Sequence, residues 1–408
     1  MLELNKIYNM DCMEGMKLLD DNSVDSIVTD PPYELGFMGK KWDSTGIAYN
    51  VDLWKECLRV LKPGGHLLAF GGTRTYHRMT CAIEDAGFEI RDCIQWLYGS
   101  GFPKSLDISK AIDKQLGAER EKVRIPASKV RNPKSINGGH GIEGGDRPWM
   151  RAALEKGFHE MDGNMPVTPE AKQWEGWGTC LKPANEPIVL ARKPLSEKTI
   201  ADNVLKWGTG GINIDGCRVE TNGETPKGSG KGSKNSIFGQ VANSKGNDGN
   251  VTPELGRFPA NLILDEEAGK MLDEQSGILK SGGGNKANKK PLARKSQVIP
   301  TKDTGEIWEQ NSGGASRFFY CAKASKKERG EGNNHPTVKP IKLMRYLCRL
   351  ITPPGGTVFD PFAGSGTTIL AAVQEGFSCI GIEKEPEYCE IIRQRMAEVQ
   401  PVLPLEES

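Results

Sequence analysis

Asp30-Pro31-Pro32-Tyr33 ends a short β-branched run, Val24 to Asp30, and brings together groups that can act on a planar amine. Two successive prolines fix the backbone, so the Pro31 carbonyl has a set direction, and the Asp30 carboxylate lies beside it. These two acceptors can take both hydrogens of an exocyclic amino group. Tyr33 offers a flat face on which a planar base can stack. Read alone, the tetrapeptide is more simply a Pro-Pro turn with a surface Asp.

A second segment, Phe359-Asp360-Pro361-Phe362-Ala363-Gly364-Ser365-Gly366-Thr367-Thr368, reads as a strand, a Gly-rich turn and a helix start. Glycines at such a turn let a ligand approach the backbone and leave helix N-terminal N–H groups facing it. Glu383 ends the next expected strand and can accept from both hydroxyls of a ribose. One Gly-x-Gly turn is more often purely structural. The phosphate-loop lysine is absent, which disfavours a nucleotide triphosphatase, and the third glycine of the dinucleotide fingerprint is missing too. A third segment, His335-Pro336-Thr337-Val338-Lys339-Pro340, reads alone as a rigid linker.

The elements around these segments alternate. Val24 to Asp30 and His66 to Phe70 read as buried strands, Val51 to Leu61 and Tyr76 to Ala86 as helices, and Phe88 to Tyr98 as a strand or hairpin. After Phe318 the rhythm returns: helix Ile341 to Ile351, strand Thr357 to Asp360, helix Thr367 to Glu375, strand Cys379 to Glu383, helix Pro386 to Val399. This β-α-β-α order predicts an α/β fold, a doubly wound parallel sheet covered on both faces. In such sheets ligands sit outside the carboxyl ends of the strands, so Asp30–Tyr33 and Asp360–Gly366 should share one crevice. The expected division is 1–103 and 317–408 as two halves of one domain, with 104–316 inserted. Within the insert, Glu186 to Ala191 and Arg257 to Leu264 read as strands that extend the sheet. Thr221 to Asn250 and Ser281 to Lys295 read as mobile Gly/Ser/Asn/Lys-rich stretches.

Composition narrows the class. The chain has 408 residues with 54 Lys+Arg against 53 Asp+Glu, enough for a large core and too balanced for disorder. Residues 1–103 and 346–408 each carry −5, leaving +11 on 104–345, which suits a polyanion or a solvated basic surface. The ten cysteines form no CxxC and no His/Cys cluster, so reduced thiols are expected, with neither disulfides nor a metal site. No apolar run is long enough to cross a bilayer, and a cytoplasmic location is expected.

Together the three segments resemble those of the amino-group DNA methyltransferases that use S-adenosyl-L-methionine. Thr29-Asp30-Pro31-Pro32-Tyr33 is similar to that family's catalytic motif and Phe359 to Thr368 to its cofactor loop. His335 to Pro340 resembles the segment that closes over the methionine end of the cofactor. The catalytic motif comes first and the cofactor loop last, as in the β class, a circular permutation of the usual order. The resemblance implies a Rossmann-like methyltransferase domain with a large inserted target-recognition region.

The resemblance also implies site roles. Asp30, Pro31, Pro32 and Tyr33 would be catalytic. Asp11 and Cys12 would lie at the cofactor's adenine, although Asp11 read alone is a helix N-cap. Lys339, Pro340, Phe359, Asp360, Pro361, Ala363, Gly364, Gly366, Thr367 and Glu383 would line the cofactor site. Double-stranded DNA would be the partner, its target base everted onto Tyr33 and its phosphates held by the basic middle. Asp before Pro-Pro-Tyr resembles adenine-N6 enzymes more than cytosine-N4 enzymes. With no Pro-Cys pair in the chain, cytosine-C5 chemistry is set aside. A homodimer and a partner nuclease of a restriction–modification pair stay open, as does a catalytically silent DNA-binding protein. Trp174, Trp177 and Trp207 read as buried packing rather than as stacking groups.

Overall fold

The computed structural model describes residues 2–36, 41–101, 105–126, 156–220, 256–280, 312–322 and 338–397. The glycine-rich stretches expected to be mobile, and His335 to Thr337, lie outside them.

The strands in chain order are β1 Lys6–Asn9, β2 Val24–Thr29, β3 Leu61–Phe70, β4 Glu89–Leu97, β5 Lys122–Pro126, β6 Phe158–Asp162, β7 Asn185–Arg192, β8 Leu262–Asp265, β9 Leu279–Lys280, β10 Ser312–Gly313, β11 Tyr320–Ala322, β12 Thr357–Asp360 and β13 Ser378–Glu383. Nine of them form one sheet in the order β1-β13-β12-β2-β3-β7-β4-β8-β11. β5 pairs with β6 and β9 with β10 in small antiparallel ladders.

β2 and β12, from opposite ends of the chain, are neighbours at the centre of the sheet, with Ser26 opposite Val358 and Ile27 opposite Phe359. Period-two alternation explains the two-sided core. Ile27, Leu67, Ala69, Phe359 and Ile380 point into one apolar cluster with the helices Val51–Val60 and Tyr76–Asp85. Val28, Leu68, Phe70, Val358 and Cys379 point into the other, with the helices Ile341–Ile351 and Thr367–Gln374.

Two expectations need correction. The sheet is not wholly parallel: β7 runs antiparallel to both β3 and β4. An apolar run signals a buried strand but not its direction. β4 is accordingly one strand paired with β7 rather than a local hairpin. As expected, the 104–316 stretch contributes β7 and β8 to the central sheet. Trp174 and Trp177 are not buried. They are 39% and 60% exposed and meet each other edge-on with ring centroids 5.2 Å apart, because the short helix Pro169–Gln173 before them turns only Ala171 inward. Trp207 is half-buried and donates to Ser196 Oγ at 2.7 Å.

Candidate active site

β2 ends at Thr29, and the chain passes directly into Asp30 to Tyr33. Thr29 Oγ1 donates to Asp360 Oδ1 at 2.7 Å, although 331 residues separate them. This buried bond ties the end of β2 to the end of β12, so the two motif segments open onto one sheet edge. Asp360 also accepts from Phe362 N at 3.0 Å, which shapes the following turn. Burial raises the Asp360 carboxyl to about 6, against the hydrogen bonds from Thr368 and Thr29 that favour its charge.

The turn after β12 is built for close approach. Gly364 and Gly366 have φ of +54° and +80°, the left-handed region that favours glycine. Gly366 precedes the helix Thr367–Gln374, and a Cβ there would come within 2.8 Å of Ile392. The Arg395 guanidinium crosses behind the turn, donating to the Ser365 carbonyl and to Thr367 Oγ1 at 3.3 Å. No spacing rule singled out Arg395 as a support of this loop. Gly364 N donates to Glu383 Oε2 at 2.7 Å, and Glu385 N to Glu383 Oε1 at 2.8 Å. Burial raises the Glu383 carboxyl to about 7, opposed by those two N–H groups.

Glu383 and the Gly364 turn lie beside the first segment of the chain. Asn9 is paired with Glu383 across β1 and β13. Asp11 follows, capping the helix Cys12–Met16 by accepting from Met13 N at 2.9 Å, so the N-cap reading of this residue holds. Its other oxygen is 3.6 Å from Lys384 Nζ. Cys12 is buried, its thiol pushed up to about 12 by desolvation. Ala363 N donates to Ile382 O at 2.9 Å, and Phe359 and Pro361 are buried beneath the turn. Asp11, Glu383 and the glycine turn thus form a polar rim at one sheet edge. Each Glu383 oxygen thus accepts one backbone N–H and has a second lone pair, an acceptor set that suits a pair of hydroxyls.

The other end of the crevice surrounds Asp30. Lys339 Nζ lies 2.7 Å from Asp30 Oδ2, 3.1 Å from the Tyr33 hydroxyl and 3.2 Å from Glu186 Oε2. The expected cofactor residue Lys339 therefore has its ammonium on the catalytic motif, while Pro340 caps the helix Ile341–Ile351. Burial works against the Lys339 charge. The carboxylates of Asp30 and Glu186 outweigh it and hold the pKa above its ordinary value. Tyr33 donates to Glu186 Oε2 at 2.9 Å, and its phenol is raised by burial and by Asp30 and Glu186. Asp30 Oδ1 is buried and has no hydrogen-bond partner among the described residues.

The loop leaving Tyr33 is held in a costly shape. Glu34 has φ of +55°, and Asp43 accepts from Glu34 N and Leu35 N at 3.0 and 3.2 Å. A shallow, half-open cleft lies beside the motif between Pro32, Tyr33, Tyr49, Gly71, Gly72 and Tyr76. Among the described residues no group of three or more His, Cys, Asp or Glu side chains could hold a metal ion.

A model of a DNA methylase family, N6/N4 methyltransferase, matches residues 24–135 and 258–394, more than half of the chain. The chain belongs to the N6/N4 DNA methylase family. This methylase is 46% identical over 67 residues to the putative methylase YubD of Escherichia coli strain K12, covering 16% of the chain and 30% of that relative. It is 22% identical to the type II methyltransferase M.HindIII of Haemophilus influenzae, over 93% of the chain and 90% of that relative. The solved complex of M1.HpyAVI with SAM is similar at 16% identity and a TM-score of 0.40, covering 96% of the chain and 98% of that structure. The family match contains both Asp30–Tyr33 and Phe359–Glu383, so the crevice belongs to the methylase body. No helix among the described residues is long and apolar enough to cross a membrane.

Proposed function

We propose that this methylase transfers a methyl group from S-adenosylmethionine to the exocyclic N6 of adenine in double-stranded DNA. The observation that carries the reading is the Thr29–Asp360 bond, which makes the acceptor motif and the glycine turn two walls of one crevice. The cofactor supplies an electrophilic methyl on a sulfonium. Glu383 holds the ribose hydroxyls, Asp11 and Cys12 flank the adenine, and Phe359, Asp360, Pro361, Ala363, Gly364, Gly366 and Thr367 form the floor. Lys339 and Pro340 close the end nearest Asp30.

An aromatic amine is a poor nucleophile because its lone pair is delocalised into the ring. Asp30 Oδ1, buried without a partner, is suited to accept one amino hydrogen, and the Pro31 carbonyl the other. Accepting both favours a tetrahedral nitrogen whose lone pair faces the methyl. Catalysis is then positioning and electrostatics, with no covalent enzyme intermediate. The base is out of reach inside a duplex and must be everted, with Tyr33 stacking on it. Asp before Pro-Pro-Tyr supports adenine-N6 over cytosine-N4. The order of motifs supports the permuted β class.

Purified protein, labelled S-adenosylmethionine and genomic duplex DNA test the reading, followed by nuclease digestion and mass analysis of the nucleosides. N6-methyl-2′-deoxyadenosine is expected. N4-methyl-2′-deoxycytidine would move the assignment to the other base, and no turnover on any duplex would leave a silent DNA-binding protein. Asp30→Ala should lower the rate about 10²–10³-fold or more, with cofactor affinity retained.

A further inference from the structure

The crevice contains an acid that neither motif supplies. Glu186 lies on β7, the antiparallel strand from the inserted stretch, and holds both Tyr33 and Lys339. The Lys339 ammonium also sits 4.9 Å from the Phe70 ring centre and 5.2 Å from that of Tyr33. It is 8% exposed, so its position is set by these neighbours and not by solvent. Asp30 spends only Oδ2 on this lysine and leaves Oδ1 buried without a partner among the described residues. The crevice therefore presents an acceptor and a fixed cationic donor side by side.

That pair complements one kind of base edge, an amino group next to an unprotonated ring nitrogen. Adenine and cytosine have this edge. On its Watson–Crick edge guanine places a ring N–H beside its amino group, which would set donor against donor; its unprotonated N3 lies on the other side, next to the sugar, and thymine has no amino group. We propose that Lys339 donates a hydrogen bond to the ring nitrogen beside the target amine, with Glu186 as its positioning residue. This rests on the methyltransferase reading and specifies the bases the site accepts. Lys339 has three protons, and Tyr33 keeps its own bond to Glu186, so the contact between Lys339 and Tyr33 can be exchanged for the base. The ring nitrogen has an in-plane lone pair that competes for the methyl. Occupying it with Lys339 directs transfer to the amine.

The test uses the full-length protein and a duplex carrying the methylation site mapped in expressing cells. The target is either adenine or 1-deazaadenine, in which C–H replaces the ring nitrogen (3-deazacytosine where the mapped base is cytosine). Wild type should methylate the deaza duplex about 100-fold more slowly. Lys339→Met should slow the normal duplex by a similar factor and the deaza duplex much less, so that the ratio of the two rates collapses towards one. Glu186→Gln should also slow the normal duplex alone, by roughly tenfold, with partial recovery in Glu186→Asp. Equal wild-type rates on the two duplexes would overturn the proposal whether or not the variants fold. So would equal slowing of both duplexes by Lys339→Met, or a loss confined to cofactor affinity. A wild type inactive on every duplex would refute the methyltransferase reading itself.

Discussion

Glu383 carries two demands that oppose each other. In the proposed site it is buried where it would meet a ribose, and it must be ionised to accept from both hydroxyls. Burial has raised its carboxyl from 4.5 to about 7, even with Gly364 N and Glu385 N donating to it. Only the ionised form has acceptor capacity for both hydroxyls, so cofactor affinity should fall as pH drops through 7. Below that point the dissociation constant should rise towards tenfold per pH unit, and titration calorimetry between pH 6 and 8 would measure it. Glu383→Gln should bind more weakly and flatten the profile; an unchanged slope would assign the effect elsewhere. The apo fold responds in the opposite direction. Because the folded pKa is raised, the contribution of this group to stability is present below 4.5 and lost as pH rises through 7. Asp30, Tyr33, Asp360 and Glu383 were legible in the sequence because each sits in a short run whose neighbours define a turn. Glu186 was not. A single acid at the start of a strand has no spacing signal, and its partner Tyr33 is 153 residues away.

The strand–turn–helix from Thr357 to Gln374 links fold to chemistry, and Gly366 is its tightest point. Its φ of +80° disfavours any side chain, and a Cβ would press on Ile392, a buried residue of the helix Pro386–Ala397. Gly366→Ala should cost roughly 1–3 kcal/mol of stability from backbone strain and overpacking. In the proposed site it should weaken cofactor binding more than DNA binding, because the turn it displaces lies against Glu383 rather than Lys339. Thermal unfolding and separate affinities for the two ligands would show it; a normal melting temperature would contradict the close packing against Ile392. Most elements were readable from apolar periodicity: Val24 to Thr29 is wholly buried, and Ile341 to Ile351 buries Leu343, Met344, Leu347 and Ile351. The direction of β7 was not readable. Ile188 to Ala191 is apolar throughout, and only its pairing with both β3 and β4 decides which way it runs. Because β7 is antiparallel, Glu186 near its start reaches the sheet edge where β3 ends.

At the scale of the whole molecule, charge and topology divide the work. The sheet joins two chain ends that each carry −5, while residues 104–345 carry +11. A polyanion is therefore repelled by most of the catalytic body and drawn to the middle of the chain. Only an everted base needs to enter the crevice, where Lys339 sits among Asp30 and Glu186. Binding of duplex DNA should then be dominated by phosphate contacts from the basic block. The logarithm of its association constant should fall linearly with the logarithm of salt concentration. Six neutralised phosphates would give a loss of about a thousandfold between 50 and 200 mM salt. The cofactor, held in the proposed site by Glu383 and backbone groups, should show almost no such dependence. Fluorescence anisotropy with a labelled duplex, run beside cofactor titrations over the same salt series, separates the two. A flat response for DNA would mean that the +11 block is a solvated surface, and that base contacts at the crevice carry the affinity. A steep response confined to DNA would mean that the basic 104–345 block supplies the phosphate contacts that hold the duplex.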